Sequence, residues 1–203
     1  MVRAILNGQK TQTRRVVKRV PPEMDFYGIG DGFADFYVPN GYSHTQINCP
    51  FGQVGDRLWV RETFGHLQDE DGAGYVYRAN IQDDTEEDFI RQPWKPSIFM
   101  PIRASRILLE ITDIRVERLQ DITEADAIAE GIIPDKHGWY PNYLRRKFWK
   151  LARFDSVKHE GGAHQFLKTK YPSTSYATLW EEINGLYSWN ANPFVWVISF
   201  IQL

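Results

Sequence analysis

Arginine and glutamate crowd two short stretches of this chain: Arg57, Arg61 and Glu62 in one, Arg103 and Arg106 in the other. A guanidinium donates its N–H groups in pairs, so such arginines around a single mouth would clamp a phosphate or a carboxylate. The same residues also suit cross-strand ion pairs. A third basic group, Lys10, Arg14 and Arg15, lies near the start of the chain and reads either as a phosphate-contacting edge or as a solvated one. A fourth comprises Arg145, Arg146, Lys147, Lys150 and Arg153, opposite an apolar stripe of Leu144, Phe148 and Leu151. That face either tracks a phosphate backbone or is simply hydrated. Trp94, between Pro93 and Lys95, is the ring best placed to stack on a base, whereas Trp59, Trp180 and Trp196 read as core.

Composition limits what these groups can do. A chain of 203 residues fits one domain with insertions and can bury a real core. Aromatics reach 14%, enough to fill that core and leave rings for a pocket. A formal net charge of −2 excludes a protein that lives by a global basic field, so any nucleic-acid contact must be local. The single cysteine, Cys49, rules out an internal disulfide and fits a reducing compartment. His44 lies near Cys49 without a second ligand pair, so neither a metal nor another cofactor is expected. With no long apolar run and no signal-peptide pattern, the sequence predicts a cytoplasmic protein that does not engage membranes.

The elements that must position these residues follow from local patterns. Val2 to Asn7 is a short apolar patch closed by Gly8, which predicts a helix end. Gln9 to Val17 is polar and β-branched and predicts a strand. Residues 20–48 mix Pro, Gly, Asp and aromatics without a period and read as an irregular insertion. Gly55-Asp56 is a turn that launches a strand at Leu58-Trp59-Val60, and Tyr75 to Ala79 and Ser97 to Met100 read as further strands. Asp83 to Asp88 is an acidic loop or a frayed helix start. Arg106 to Val116 is the clearest strand, with Ile107, Leu109 and Ile111 on one face and a break near Asp113. Thr123 and Asp126 have capping-box spacing for a short helix that stops at Gly131. Helical spacing returns at Asn142 to Arg153 and at Ser175 to Asn184, separated by a loop over Phe154 to Tyr171. Pro193 to Ile201 is nearly all apolar, the pattern of a strand buried on both faces at the centre of a closed sheet. Short strands with isolated helices and no βαβ rhythm give an α+β protein built on a small mixed β-barrel.

Several stretches resemble the ASCH family of the PUA-like superfamily. Ile5 to Arg14, with Gly8, Lys10, Thr13 and Arg14, is similar to its opening signature. Gly55 to Val60 looks like its turn and strand, Ile111 to Gly131 its strand-then-helix unit, and Trp196 to Phe200 its last strand. The Cys-Pro-x-Gly, Arg-Glu-Thr, Pro-Ser-Ile and Leu-Trp-x-x-Ile-Asn-Gly elements resemble those of longer, prophage-encoded members. The resemblance implies one ASCH-like domain over residues 1–203, with insertions at about 20–48 and 135–172. It also implies RNA or a modified nucleoside as partner. In one departure, relatives of this long type place a strand before the opening helix. The expectation here is either a barrel open at one edge, which favours dimerisation, or a start within a longer gene.

One branch of that family hydrolyses the acetyl group of N4-acetylcytidine, and another is linked to RNA cleavage. Carried over by motif, the working residues of the hydrolase branch are Lys10, Thr13 and Glu130. A threonine hydroxyl attacks only when a base takes its proton, and lysine is a base only if its pKa falls well below its free value. Arg14 and Arg15 supply cations to lower it. Glu130, at the end of a helix, would protonate the leaving amine. On one regular strand Lys10 and Thr13 would point to opposite faces, so a bulge after Gly8 is expected. The ligand-contacting set comprises Arg14, Arg15, Arg57, Arg61, Glu62, Trp94, Arg103 and Arg106. The rival reading is a phage accessory protein that binds a protein partner on a barrel scaffold without catalysis.

Overall fold

The computed structural model describes residues 1–21, 23–30, 32–39, 41, 43–69, 72–81, 93–144 and 168–203. The acidic stretch at 83–88, the basic face at 145–153 and most of the loop at 154–171 lie outside the described residues.

The centre of the molecule is a four-stranded antiparallel sheet in the order β1-β11-β8-β5, made of β1 (Gln12–Val16), β11 (Phe194–Gln202), β8 (Leu108–Arg118) and β5 (Arg57–Trp59). Its middle is β11, where Phe194 to Ile198 are all buried. A strand lined on both faces by Val, Trp, Ile and Phe has no solvent-facing side, so it takes the position with a neighbour on each edge. Each such side chain contributes about 1.5–3 kcal/mol on burial. Opposite Ser199 and Phe200 the register of β8 slips by one, leaving Thr112 as the extra residue beside Asp113. That bulge is the break read from the sequence.

Helix α1 (Val2–Leu6) packs Ile5 against Ile107, Leu109 and Phe200. Helix α2 (Glu124–Ala129) begins at a complete capping box between Thr123 and Asp126 and ends at Glu130 and Gly131. Helix α3 (Pro172–Asn184) buries Tyr176 and Trp180 with Leu119, Ile132, Val195 and Val197 on one face of the sheet. No described helix is long and apolar enough to cross a membrane.

Four expectations need correction. Residues 20–48 are not irregular: β2 (Asp25–Gly30), β3 (Phe33–Tyr37) and β4 (His44–Asn48) form an antiparallel sheet. Its inner residues Ala34 and Phe36 pack on Ile111, Trp196 and Ile198 on the other face of the central sheet. Ser97 to Met100 is no strand, because Pro96 and Pro101 bracket a 3-10 turn at Ser97–Phe99. The strand read at Tyr75 to Ala79 instead starts earlier, as β7 (Gly72–Tyr77) paired with β6 (Phe64–Asp69), and gives way to a 3-10 turn at Arg78–Asn80. Trp180 and Trp196 are core residues, but Trp59 is only half-buried on the short edge strand β5. A two-stranded ribbon, β9 (Tyr140–Pro141) with β10 (Lys168–Thr169), completes the described strands.

Candidate functional site

Lys10 reaches its position because α1 ends abruptly. Gly8 (φ +67) turns the chain, and the N–H groups of Gln9 and Lys10 both donate to the Ala4 carbonyl. The backbone of Lys10 then forms an isolated bridge to Glu130, and Thr11 donates to the Ala129 carbonyl. The start of β1 is thereby fastened to the C-terminal end of α2. Gly131 permits the close approach: a Cβ there would stand 3.1 Å from Lys10 Cβ and 3.3 Å from Ala4 Cβ.

The Lys10 ammonium is 4% exposed and donates to the Gln12 carbonyl (2.7 Å), the Glu130 carbonyl (2.8 Å) and Glu130 Oε2 (2.7 Å). Burial pulls its pKa below the usual lysine value, and the charge and hydrogen bond of Glu130 oppose that only in part. Arg14, 1% exposed, lies beside it. Its guanidinium grips Glu117 Oε1 through Nε (3.1 Å) and Nη2 (2.6 Å), and Nη1 donates to Gln12 Oε1 (2.7 Å) and Glu130 Oε1 (3.4 Å). Asp126 Oδ2 stands 3.4 Å from Arg14, while Arg115 bonds Glu117 Oε2 (3.1 Å) and Asp126 Oδ1 (2.8 Å). Lys10, Arg14 and Arg115 thus face Glu117, Asp126 and Glu130, a charge-balanced network linking β1, β8 and α2. Tyr176 of α3 closes it from above. Burial, then the neighbouring Glu130 charge, pushes the Tyr176 phenol far above its usual value, so it stays neutral beside that carboxylate.

Beside this network lies a cleft of about 80 Å³ between the free edge of β1 and α3, whose lining includes Lys10, Thr13, Arg15, Glu130, Tyr176 and Ile183. Phe200 N–H donates to Thr11 O and Val17 N–H to Phe194 O, so odd-numbered residues of β1 turn their backbone groups to β11. The even-numbered ones point theirs to the open edge. Thr13 is half-buried, and its hydroxyl has no hydrogen-bond partner among the described residues. Arg15 is exposed at the rim, with a single 3.5 Å bond, to the Arg14 carbonyl, among the described residues. No bulge was needed to bring Lys10 and Thr13 to one cleft. Lys10 lies between α1 and the regular strand, bridged to the end of α2, so the alternation that separates strand positions does not apply to it.

Comparison with protein-family models, curated proteins and solved structures found no match to this chain.

The remaining sequence candidates fall elsewhere. Glu62, buried, is held by Arg106 through Nε (2.8 Å) and Nη2 (3.0 Å), and Arg106 also bonds Asn80 and lies over the Tyr77 ring. That is the cross-strand ion-pair alternative, bidentate and already satisfied. Arg103 donates to the Tyr75 hydroxyl (3.1 Å), Arg61 stacks on Trp59, Arg57 is exposed and Trp94 is half-buried. None of these residues lines the Lys10 cleft. A larger hollow of about 320 Å³, with Ile29, Gly30, Gly32, Gln53, Val54 and Ile114 around it, has no charged side chain in its lining.

Sequence reasoning missed Glu117, Tyr176 and the pairing role of Asp126. The signal for Tyr176 was present: it stands four residues before Trp180, one helical turn along the same buried face.

Proposed function

We propose that this protein is an ASCH-like, PUA-like barrel protein that binds RNA or nucleosides and removes an acyl group from the exocyclic amine of a modified cytidine. The observation that carries this reading is the convergence of Lys10 and Glu130 at 2.7 Å beside a cleft onto which Thr13 opens. These positions, 120 residues apart in sequence for the charged pair, are the ones the family resemblance marks as working residues. The curled four-stranded sheet is the part of the fold consistent with a barrel.

At rest the Lys10 ammonium has an acceptor for each of its N–H bonds, and a base it is not. In the proposed reaction the proton shared across the Lys10–Glu130 contact moves to the carboxylate, leaving a neutral amine and a carboxylic acid side by side. Thr13 Oγ attacks the acyl carbonyl carbon and its proton goes to Lys10 Nζ. The C–N bond breaks as Glu130 returns its proton to the departing cytidine amine. Water then cleaves the acyl-threonine ester, releasing the carboxylic acid and restoring the hydroxyl. A cleft of about 80 Å³ is well below ligand-pocket size, so α3 must swing away from β1 to admit a nucleoside.

Thr13→Val separates this from a purely structural role. Its hydroxyl has no hydrogen-bond partner among the described residues, so the variant should keep its stability within about 0.5 kcal/mol. Release of acetate from N4-acetylcytidine should fall by at least about a hundredfold, and Thr13→Ser should retain a measurable part of it. Equal rates for the wild type and Thr13→Val would remove Thr13 from the chemistry. No release by the wild type would leave binding without catalysis.

A further inference from the structure

The small sheet β2-β3-β4 has a second face, turned to solvent, that the cleft does not use. Cross-strand partners share a face, so the register places Tyr37 with His44, Gly28 with Asp35 and Gln46, and Gly30 with Phe33 and Asn48 on that outer side. Tyr27, the extra residue in the bulge between Phe26 and Gly28, joins them and is 73% exposed. Three rings meet there. Tyr27 stands 5.9 Å from Tyr37 and 6.2 Å from His44, at 79° and 86° to them, while Tyr37 and His44 are tilted by only 31° to one another. The result is a step, one upright ring against two that lie nearly side by side.

Beyond the step the backbone is bare. A Cβ at Gly28 would meet nothing within 4 Å, whereas Gly30 is already covered by the Phe33 ring. The bare strip is flanked by the carboxylate of Asp35 and the amide of Gln46. Among the described residues of this face no lysine or arginine points outward, and Arg118 at its border is committed to Asp25 (3.4 Å) and to the Phe194 ring. Polar groups at Asp35, Gln46 and Asn48 offer little to an apolar protein surface. The Gln46 and Asn48 amides both donate and accept, and with no cation on the face a docked strand would keep its phosphates off it and present a base.

We infer that this outer face is a stacking platform for one unpaired, amino-bearing nucleobase, cytosine in the first instance. The rings of Tyr27, Tyr37 and His44 supply π faces, and Asp35 accepts from the exocyclic amine. The inference rests on the RNA or nucleoside reading above and extends it: a base of the same strand docks here, away from the cleft. Because no lysine or arginine of the face meets a phosphate, binding at the platform responds weakly to salt.

The test uses labelled single-stranded oligocytidylate and oligouridylate and follows anisotropy with the full chain. Wild-type protein should bind the cytidylate more tightly, with little change between about 50 and 200 mM salt. Tyr27→Ala should weaken binding to both by roughly tenfold, and Tyr27→Trp should restore it. Asp35→Asn should abolish the preference for cytidylate. Thermal melts confirm that each variant is folded, which the exposure of these side chains favours. Unchanged affinity in Tyr27→Ala, an affinity that collapses with salt, no binding by the wild type, or a protein held at this face in place of RNA would each overturn the platform. Hydrolysis of free N4-acetylcytidine is read separately. Turnover without any Tyr27 effect on RNA refutes the platform alone, and a Tyr27 effect without turnover refutes the hydrolase alone.

Discussion

Replacing Lys10 with methionine keeps the length of the side chain and removes its charge. Three acceptors lose their donor at once: the carbonyls of Gln12 and Glu130, and Glu130 Oε2. A buried ion pair broken on one side typically costs about 3–5 kcal/mol, because the remaining charge is left uncompensated. Glu130 is not stranded, since Arg14 Nη1 stands 3.4 Å away and Tyr176 also interacts with it. The orphaned carbonyls add about 1–3 kcal/mol each if no water reaches them. The lower end of the ion-pair range, about 3 kcal/mol, is therefore the floor. At roughly 2–4 °C per kcal/mol for a chain of this size, the melting temperature should fall by about 10 °C. Lys10→Met combined with Glu130→Leu should recover part of that loss, because two apolar groups can replace a buried pair with little penalty. The assay is a urea and thermal denaturation cycle on the wild type, the two single variants and the double variant. A Lys10→Met protein that melts within a degree of the wild type would show that the pair does not exist as described. So would additive single-variant losses, and the spatial basis of the site would go with it.

Two further outcomes follow from the same geometry. Gly131→Ala must place a Cβ at φ +89 and 3.1 Å from Lys10 Cβ, whereas Gly8→Ala, at φ +67, meets nothing within 4 Å. Both should lose about 1–2 kcal/mol for the left-handed backbone, with Gly131→Ala losing measurably more in urea midpoints; equal losses would refute the crowding at Lys10. Partial burial favours the neutral form of Asp126, but the Thr123 hydroxyl and the charges of Arg14 and Arg115 outweigh it and hold the carboxyl below its usual value. A depressed carboxylate stabilises the fold above its unfolded pKa and loses that contribution as pH falls through the folded one. Asp126→Asn should therefore be about 1 kcal/mol less stable than the wild type near pH 6, and the gap should close as pH drops below about 4. The same gap at both pH values would contradict the network.

Where one residue's pattern was enough, the sequence could be read. The apolar run at Phe194–Gln202 demands two covered faces and found them, and the spacing of Thr123 and Asp126 names its own hydrogen bonds. The small sheet was hidden because its period is broken. By register Phe26 and Ile29 share the side of Phe36 and Ala34, three apart, with the bulge at Tyr27 and the side-chain-free Gly28 between them, and Ile29 is itself exposed, so alternation by two fails where it should begin. Arg14 and Glu117 lie 103 residues apart, on strands separated by β11, and no local spacing can announce such a pair. Lys10 with Glu130 was visible only through the family resemblance, since nothing in the pattern around either residue refers to the other.

The protonation of Lys10 decides between a scaffold and a catalyst, and magnitudes show how narrow the margin is. An unperturbed lysine, with a pKa near 10.4, must give up about 4.6 kcal/mol to be a free amine at pH 7. General base catalysis contributes a factor of about 100 to 10,000, which is about 2.7–5.5 kcal/mol. A lysine of ordinary pKa would gain almost nothing by acting as the base. Only a buried one, pulled down as Lys10 is, can come out ahead. The Glu130 carboxylate that raises the cost of losing the proton is also the nearest place to put it, 2.7 Å away, so the transfer leaves no net charge in the dry interior. The same contact therefore fastens α2 to β1 in the resting fold and sets the price of starting the reaction. A substrate that expels water from the cleft weakens the charged form of the pair more than the neutral form, and that shift is what the proposed chemistry requires.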